Sequence, residues 1–161
     1  MHPHAEVIQR LYTAIANADP DAIMACYVDD AVDDAYFEDI AFRRRGRKEI
    51  HQMWRLVCHA QPKVKILSTA AYDQKGSGSW EACYMFGRTK TDPGRQVINP
   101  TTSTFTFRDR RVVEHRDECD ARAWARQAFT FPKSLVAGNV GWVRRRSAAK
   151  KLDKFLEEHP G

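Results

Sequence analysis

The stretch VVEHRDECDARAW, residues 112–124, concentrates the side chains of this chain that could carry chemistry. Its first part alternates in the way that a half-buried β-strand does. That alternation places His115 and Asp117 on one face, together with Val113 and Cys119. Because a buried carboxylate is costly unless it is paired, this mixture differs from an ordinary core face. An imidazole that titrates near neutrality beside a carboxylate is a candidate pair for proton transfer.

The opposite face of the same strand carries only charged residues, Glu114, Arg116 and Glu118. Such a face suits solvent or a partner subunit. Asp120 stands directly before a segment of helical composition that starts at Ala121, so we expect it to cap that helix. The stretch therefore divides into two faces and a cap, and its functional interpretation depends on His115 and Asp117.

Apolar residues at helical spacing predict three helices before this strand, over residues 7–15, 20–27 and 47–60. Asp19 is a good N-cap for the second helix, and Pro20 is a good first helical residue. A short strand is predicted over residues 35–40. The arginine-rich segment Arg43–Arg47 is predicted to be a loop.

Four long strands joined by short turns are predicted next, over residues 64–72, 80–91, 96–107 and 112–120. The segment Gln74–Gly78 has the composition of a turn. A helix over 121–129 follows, then an interruption at Pro132, Gly138 and Gly141, and a last helix over 147–158. Helices followed by an antiparallel meander indicate an α+β fold, in which a curved sheet and its helices form a cone with one open end. The open end is a natural small-molecule pocket.

Composition excludes several classes of function. The chain has 161 residues, 43% of them hydrophobic and 29% charged, which suits one globular domain. Of its net charge of +5, the segment 130–161 carries +4, so a nucleic-acid-binding body is not indicated. No apolar run approaches the roughly 20 residues of a membrane span, and no signal peptide is visible. The four cysteines are far apart and form no C-x-x-C, which indicates reduced thiols in the cytoplasm and no metal site.

The chain resembles the SnoaL-like group of the nuclear transport factor 2 superfamily, which includes polyketide cyclases, ketosteroid isomerase and limonene-epoxide hydrolase. The resembling segments are IQRLYTAIANADPDAIMACYVDDAV (8–32), YFEDIAFRRRGRKEIHQMWRLVC (36–58) and FTFRDRRVVEHRDECDARAWARQAF (105–129). The resemblance implies a cone-shaped domain over residues 1–129, and it leaves 130–161 as a basic extension that packs on the body or on a partner subunit. It also implies a homodimer through the outer face of the sheet, where Thr102, Thr104 and Thr106 alternate.

The same resemblance implies places for the catalytic groups. Asp117 matches the aspartate of a W-R-D segment that faces the pocket in limonene-epoxide hydrolase, and His115 would lie beside it. Asp39 stands where related proteins often carry an aspartate in the pocket. The arginine and second aspartate of the hydrolase fall on Tyr84 and Phe86, so epoxide hydrolysis by that mechanism is not expected.

We therefore expect a small-molecule enzyme of isomerase or cyclase type, with general acid/base chemistry on an apolar, carbonyl-bearing substrate. Asp117, Asp39 and His115 are the candidate catalytic residues, and no cofactor or metal is implied. The candidate substrate-binding residues are Tyr27, Trp54, Tyr84, Phe86 and Cys119. Two alternatives stay open, a non-catalytic ligand-binding or dimerising accessory protein and an epoxide hydrolase with a rebuilt site.

Each candidate residue also has a purely structural interpretation. Asp117 could pair with an arginine or cap a loop, and His115 could be a satisfied core histidine. Asp39 could do no more than fasten the segment Arg43–Arg47. The candidate aromatic side chains of the pocket could belong to the core.

Overall fold

A computed structural model describes residues 1–161, which form one sheet and six helices. The helices are α1 Pro3–Ala16, α2 Pro20–Met24, α3 Arg47–His59, α4 Ala121–Ala128, α5 Lys133–Asn139 and α6 Gly141–Glu158. The strands are β1 Tyr36–Glu38, β2 Arg43–Arg45, β3 Lys63–Tyr72, β4 Lys75–Phe86, β5 Arg95–Arg108 and β6 Arg111–Glu118. Their order in the sheet is β2-β1-β6-β5-β4-β3, and only the pair β1–β6 is parallel. The predicted α+β fold is confirmed.

The predicted caps hold at two helix starts. The carboxylate of Asp19 accepts a hydrogen bond from the amide of Ala22 at 2.9 Å, and Pro20 is the first residue of α2. Asp120 caps α4 by accepting from the amides of Arg122 and Ala123. Both caps satisfy amides that have no partner inside the helix.

The strand β4 begins at Lys75, so the predicted turn over Gln74–Gly78 is mostly wrong, and the chain reverses at Asp73 and Gln74. The glycines have a packing role instead. A Cβ atom at Gly76 would lie 2.8 Å from Cδ1 of Ile8, and one at Gly78 would collide with the ring of Tyr12. Glycine at these positions lets α1 approach the concave face of the sheet.

The predicted loop over Arg43–Arg47 is also wrong in its first half, because Arg43–Arg45 forms the edge strand β2. The carboxylate of Asp39 fastens the reversal between β1 and β2. Its Oδ1 atom accepts hydrogen bonds from the amides of Ala41 at 2.7 Å and Phe42 at 2.6 Å. These local side-chain bonds replace the ladder bonds that a four-residue turn cannot make.

Two helices differ in extent from the prediction. The helix α2 ends at Met24, and Tyr27 instead forms an isolated parallel bridge with Val112 at the start of β6. The helix α6 begins at Gly141 rather than at residue 147. Glycine obscures the apolar periodicity there, although it does not break the helix.

The main core lies between the concave face of the sheet and the first three helices. Ile8 and Leu11 of α1 and Trp54 of α3 are buried against Phe105 and Phe107 of β5. From His115 onward the alternation of β6 is as predicted, since His115 and Asp117 are buried whereas Arg116 and Glu118 are exposed. At the start of β6 it is wrong, because an irregularity in the pairing with β5 leaves Val113 half-buried and makes Val112 the buried residue. The concave face of the sheet therefore places the polar pair His115 and Asp117 in an otherwise apolar interior.

The C-terminal segment packs on the same chain. Leu152 and Phe155 of α6 are buried in the main core beside α3. A smaller second cluster joins Val97 of β5 to Trp124 of α4 and Ala137 of α5. All four cysteines are free, and none of the helices is long and apolar enough to cross a membrane.

Candidate active site

A chain of side-chain hydrogen bonds crosses the interior from Tyr27, which follows α2, to Trp80 of β4. The hydroxyl of Tyr27 lies 2.8 Å from Nδ1 of His115, and Nε2 of His115 lies 2.7 Å from Oδ1 of Asp117. The hydroxyl of Ser103 donates to the same Oδ1 atom at 2.5 Å. Nε1 of Trp80 donates to Ser103 Oγ at 3.1 Å. All of these residues are buried, so Asp117 receives two hydrogen bonds in the interior of the protein.

Strand register brings these groups together. Ser103 of β5 pairs directly with Asp117 of β6, and both side chains point to the concave face. The parallel pairing of β1 with β6 places Phe37 opposite His115. The bridge between Tyr27 and Val112 holds the chain that follows α2 against β6. The polar chain therefore depends on three separate strand contacts.

His115 is completely enclosed by aromatic rings. Its ring centroid lies 4.5 Å from that of Phe105, 5.0 Å from that of Phe37 and 6.2 Å from that of Trp54. A neutral imidazole has one donor and one acceptor. Burial raises the pKa of Tyr27 well above its ordinary value, so the Tyr27 hydroxyl keeps a proton for Nδ1, and Nε2 can donate to Asp117. With 0% of its surface exposed, His115 can position Asp117 but cannot touch a ligand.

Asp117 lies at the boundary between this interior and a surface cleft. Its Oδ1 atom is hydrogen-bonded to His115 and Ser103. Its Oδ2 atom makes no hydrogen bond within the protein and is accessible to solvent. The free oxygen of a fixed carboxylate can accept a proton from a bound molecule.

The cleft next to Asp117 has a volume of about 320 Å³. It lies where the ends of β1 and β6 meet the start of α6. Most of its lining carries charge, and the lining residues are Glu38, Asp39, Ile40, Arg116, Asp117, Glu118, Cys119, Arg144 and Arg145. The cleft is thus more polar than the predicted apolar pocket.

Asp39 lines the same cleft in a different environment. Burial raises the pKa of its carboxyl group to about 6, although the amides of Phe42 and Ala41 oppose that change. Like Asp117, it has one oxygen fixed by hydrogen bonds and one that makes none. The cleft therefore holds two carboxyl groups whose surroundings differ, which is the usual basis for separate acid and base roles.

Arg144 closes one side of the cleft. Its Nε atom donates to the carbonyl of Ile40 at 2.6 Å, and Nη1 donates to the carbonyl of Ala137 at 2.8 Å. Burial lowers the pKa of its guanidinium group from the ordinary value, and the charge of Arg145 acts in the same direction. The first bond joins the extension to the turn that follows β1, whereas the second lies within the extension and joins α6 to α5.

The structure brings only part of the predicted site together. Asp117, Asp39 and Cys119 line the cleft, and His115 lies behind Asp117. Burial raises the pKa of the Cys119 thiol to about 11, so this side chain is a neutral wall of the cleft rather than a nucleophile.

The predicted aromatic residues lie elsewhere. Tyr27 and Trp54 are inside the core, 1% and 2% exposed. The hydroxyl of Tyr84 accepts a hydrogen bond from Nε1 of Trp124 at 2.9 Å, and burial raises its pKa to about 12. Phe86 packs edge-on against Trp124 with a centroid distance of 5.4 Å. None of these four rings lines the cleft.

Sequence reasoning missed three residues of the site, Ser103, Arg144 and Arg145. Ser103 could have been found, because it occupies an inward position of β5 between Thr101 and Phe105. Nothing local marks the two arginines, since they reach the cleft through the packing of α6.

Three solved structures illustrate the fold. An LEH-like epoxide hydrolase of M. tuberculosis is 22% identical, with a TM-score of 0.61, and the match covers 88% of this chain and 95% of that one. A hypothetical protein of Catenulispora acidiphila with a ketosteroid isomerase-like fold, in complex with trimethylamine, is 13% identical, with a TM-score of 0.63 and coverage of 76% and 92%. The epoxide hydrolase/cyclase-like enzyme SalBIII of pyran ring formation in salinomycin is 14% identical, with a TM-score of 0.62 and coverage of 72% and 89%.

At these identities the similarity shows the fold alone. No curated protein matches the chain. The model of the SnoaL-like domain, however, matches residues 8–115, which include most of α1, all of α2 and α3 and most of the sheet. On that match, the chain belongs to the SnoaL-like domain family.

Proposed function

We propose that this protein is an enzyme of isomerase or cyclase type, which moves protons at a carbon next to a carbonyl group in the cleft between β1, β6 and α6. The observation that carries the proposal is the presence of two carboxyl groups, Asp39 and Asp117, on one cleft. Each has one oxygen anchored and one oxygen free. Such pairs support general acid/base catalysis when their environments differ.

The two carboxyl groups have different catalytic roles. Asp39, whose pKa is raised to about 6, retains its proton more readily than an ordinary aspartate and acts as the acid. Asp117 acts as the base and takes a proton from the carbon next to the carbonyl. As that carbon–hydrogen bond breaks, the electron pair forms the enol double bond, and the carbonyl oxygen receives the proton of Asp39. In isomerisation, Asp117 returns its proton to the far carbon of a conjugated enol, and the enol hydroxyl returns its proton to Asp39, which restores the carbonyl group. In cyclisation, the enol carbon attacks a second carbonyl group, whose oxygen takes the proton of Asp117, and the enol hydroxyl again returns its proton to Asp39.

His115 and Ser103 serve as positioning residues. Both bind Oδ1 of Asp117, so the carboxylate cannot rotate and its free oxygen has a fixed direction. Fixing the base in advance reduces the entropy that catalysis must otherwise supply. The charged lining of the cleft favours a polar carbonyl compound over the apolar substrate that the sequence predicts.

Hydrogen–deuterium exchange tests this function without knowledge of the natural substrate. The protein is incubated in deuterated water with a panel of ketones and keto acids, and loss of proton signal next to the carbonyl is followed by NMR. We expect catalysed exchange by the native protein, and a loss of about 100-fold or more in Asp117→Asn. Glu114→Gln is the control, because Glu114 lies on the outer face of the same strand.

Exchange that persists in Asp117→Asn would contradict the assignment of the base. Binding without any exchange would instead favour the alternative of a non-catalytic ligand-binding protein. Thermal shift measurements on the same panel separate these outcomes, because they report binding alone.

Epoxide opening is a second candidate, favoured by the position of Arg144. Tyr84 and Phe86 replace the arginine and the second aspartate of limonene-epoxide hydrolase. Asp39, Asp117 and Arg144, however, all line the cleft. Asp117 would take a proton from water as the water oxygen attacks the epoxide carbon, and Asp39 would give its proton to the departing oxygen. Conversion of styrene oxide to its diol, lost in both Asp39→Asn and Asp117→Asn, would support this reaction.

A homodimer through the outer sheet face is part of the proposal. Thr102 and Thr104 are exposed there, and the neighbouring Ile98 is 44% exposed. Sedimentation velocity should show a dimer that Thr104→Arg converts to monomer. The four free thiols favour a reducing compartment such as the cytoplasm.

A further inference from the structure

Arg145 of α6 lines the cleft with a guanidinium group that lacks close partners. Its nearest carboxylate is that of Glu38, and their closest approach, from Nη2 to Oε1, is 4.0 Å. Its Nε atom is buried without any hydrogen-bond acceptor, although the side chain as a whole is 30% exposed. A buried donor without an acceptor is costly, so a native protein usually provides one or binds a molecule that does.

Glu38 does not serve as the missing acceptor for Arg145, because its carboxylate already has three other partners. Its carboxylate accepts from the hydroxyl of Tyr36 at 2.6 Å and from Nη1 of Arg116 at 2.8 Å. It also lies 3.4 Å from Nε of Arg43. These three partners hold the carboxylate on the β1–β2 side of the cleft and neutralise its charge.

A second guanidinium group lies close to the first. A Cβ atom built on Gly141 would lie 3.2 Å from Nη1 of Arg145 and 3.6 Å from Nη2 of Arg144. Arg144 uses Nε and Nη1 for backbone carbonyls, which leaves Nη2 without a protein acceptor. Two like charges converge at one edge of the cleft, and an anion between them would relieve their repulsion.

We infer that Arg145, assisted by Arg144, binds the carboxylate of the substrate, which is therefore a small oxo-carboxylate. The carbonyl group of this ligand is inferred from the proposed function, and its carboxylate group is inferred from the two arginines. A guanidinium group binds a planar carboxylate through two parallel hydrogen bonds, which gives orientation as well as affinity. With the acid group held at α6, the carbonyl group extends towards Asp39 and Asp117.

The size of the cleft suits a small substrate. A volume of about 320 Å³ corresponds to about ten water molecules at roughly 30 Å³ each. A compound of about ten non-hydrogen atoms therefore fills it. Two of the four acidic residues of the lining oppose such a ligand only weakly, because Glu38 is paired and Asp39 holds its proton more readily than usual. The other two, Asp117 and Glu118, lie on β6.

The test compares levulinate with its methyl ester, which is uncharged and has one more carbon atom. Binding is measured by isothermal titration calorimetry on the native protein, Arg145→Gln, Arg145→Lys and Arg146→Gln. Arg146 is the matched control, since it is the next residue of α6 but is exposed and outside the cleft. Arg145 has no close hydrogen bond to lose, so its replacement should leave the fold intact, which circular dichroism verifies.

We expect the native protein to bind levulinate at least about tenfold more tightly than the ester. Arg145→Gln should abolish this preference, Arg145→Lys should restore part of it, and Arg146→Gln should keep it. Equal binding of acid and ester, no binding of either, or an equal loss in Arg146→Gln would overturn the inference. Because this measurement needs no turnover, levulinate that binds through Arg145 without exchange of its hydrogens would refute the acid/base function and leave the carboxylate site standing.

Discussion

The Nε2 atom of His115 lies 2.7 Å from Oδ1 of Asp117, and this hydrogen-bonded pair is buried, with side chains 0% and 7% exposed. A second pair of the same chemistry lies on the surface, where Nε2 of His51 is 2.9 Å from Oδ1 of Asp21. The distances are similar, but the side chains of the second pair are 37% and 89% exposed. The comparison separates the effect of burial from the effect of the contact itself.

Replacement of His115 by phenylalanine should destabilise the protein by about 2–4 kcal/mol, because Asp117 and the Tyr27 hydroxyl each lose a buried partner. Phenylalanine fits the aromatic surroundings, so the measured loss reflects the polar contacts rather than a cavity. Urea unfolding followed by tryptophan fluorescence gives the free energy. The matched variant His51→Phe should change it by less than about 0.5 kcal/mol. If the two variants lost similar amounts of unfolding free energy, the buried hydrogen bonds of His115 would contribute no more to stability than the surface contact of His51.

Asp39 should make the protein less stable as the pH rises through the interval between 3.8 and about 6. In that interval the folded protein keeps the proton of Asp39 while the unfolded chain has lost it, so folding takes up a proton and stability falls with pH. Asp39→Asn removes the titration but keeps an oxygen for the amides of Ala41 and Phe42. Relative to the native protein, the variant should gain stability from pH 4 to pH 7, by at most roughly 3 kcal/mol. Urea midpoints across this range provide the measurement, and a constant difference would contradict it.

Asp120 should show the opposite dependence and is the control for that titration. The amides of Ala123 and Arg122 hold the pKa of this carboxyl group below its usual value. Its stabilising effect is therefore present above pH 3.8 and is lost as the pH falls. Asp120→Asn should thus be destabilising at neutral pH and approach the native protein in acid.

The rate of catalysed exchange should fall as the pH rises above about 6, because Asp39 must hold a proton to act as the acid. Asp39→Asn should be slower by about 100-fold or more below pH 6, and it should lose the decline above that value. The measurement is the NMR exchange rate from pH 5 to pH 8. A rate that instead increases through pH 6 would make Asp39 the base and reverse the assignment of the two carboxyl groups.

Strand alternation was sufficient to find His115 and Asp117, because the period of two is local and needs no knowledge of neighbours. The same rule would have found Ser103 on β5. It could not place Tyr27, Trp54 or Phe86, since an aromatic ring on an inward face suits a core and a pocket equally well. Only three-dimensional packing decides between them.

The arginines of the cleft were beyond local reasoning for another reason. Arg144 donates to Ile40, which is 104 positions earlier in the chain, so no pattern within a helix or strand records the contact. The glycines of β4 were misinterpreted because turns and close packing use the same residue. What the sequence leaves open is therefore the contact between distant segments, and the cleft depends on such contacts.

Gly78→Ala should destabilise the protein by about 1–3 kcal/mol, because the added methyl group meets the ring of Tyr12, which is buried and cannot move aside freely. Ser77→Ala is the control, since Ser77 is the adjacent residue of β4 but is exposed on the outer face. Its effect should stay within about 0.5 kcal/mol. Thermal unfolding of both variants provides the comparison, and equal stability would show that α1 can withdraw from the sheet.

Phe155→Ala should release α6 from the body of the protein and thereby open the cleft. Phe155 is 8% exposed, packs on His59 with a centroid distance of 5.2 Å and lies under the guanidinium group of Arg55 at 5.8 Å. Its truncation should lower the free energy of unfolding by about 3–5 kcal/mol, whereas the exposed control Lys150→Ala should leave it almost unchanged.

Hydrogen exchange followed by mass spectrometry should show faster exchange over residues 141–158 while α1 stays protected, because α1 packs on β3 and β4 without α6. Since Arg144 and Arg145 belong to α6, levulinate binding should weaken in parallel. Faster exchange without weaker binding would show that the arginines bind no ligand, whereas unchanged exchange would show that Leu152 alone anchors the helix.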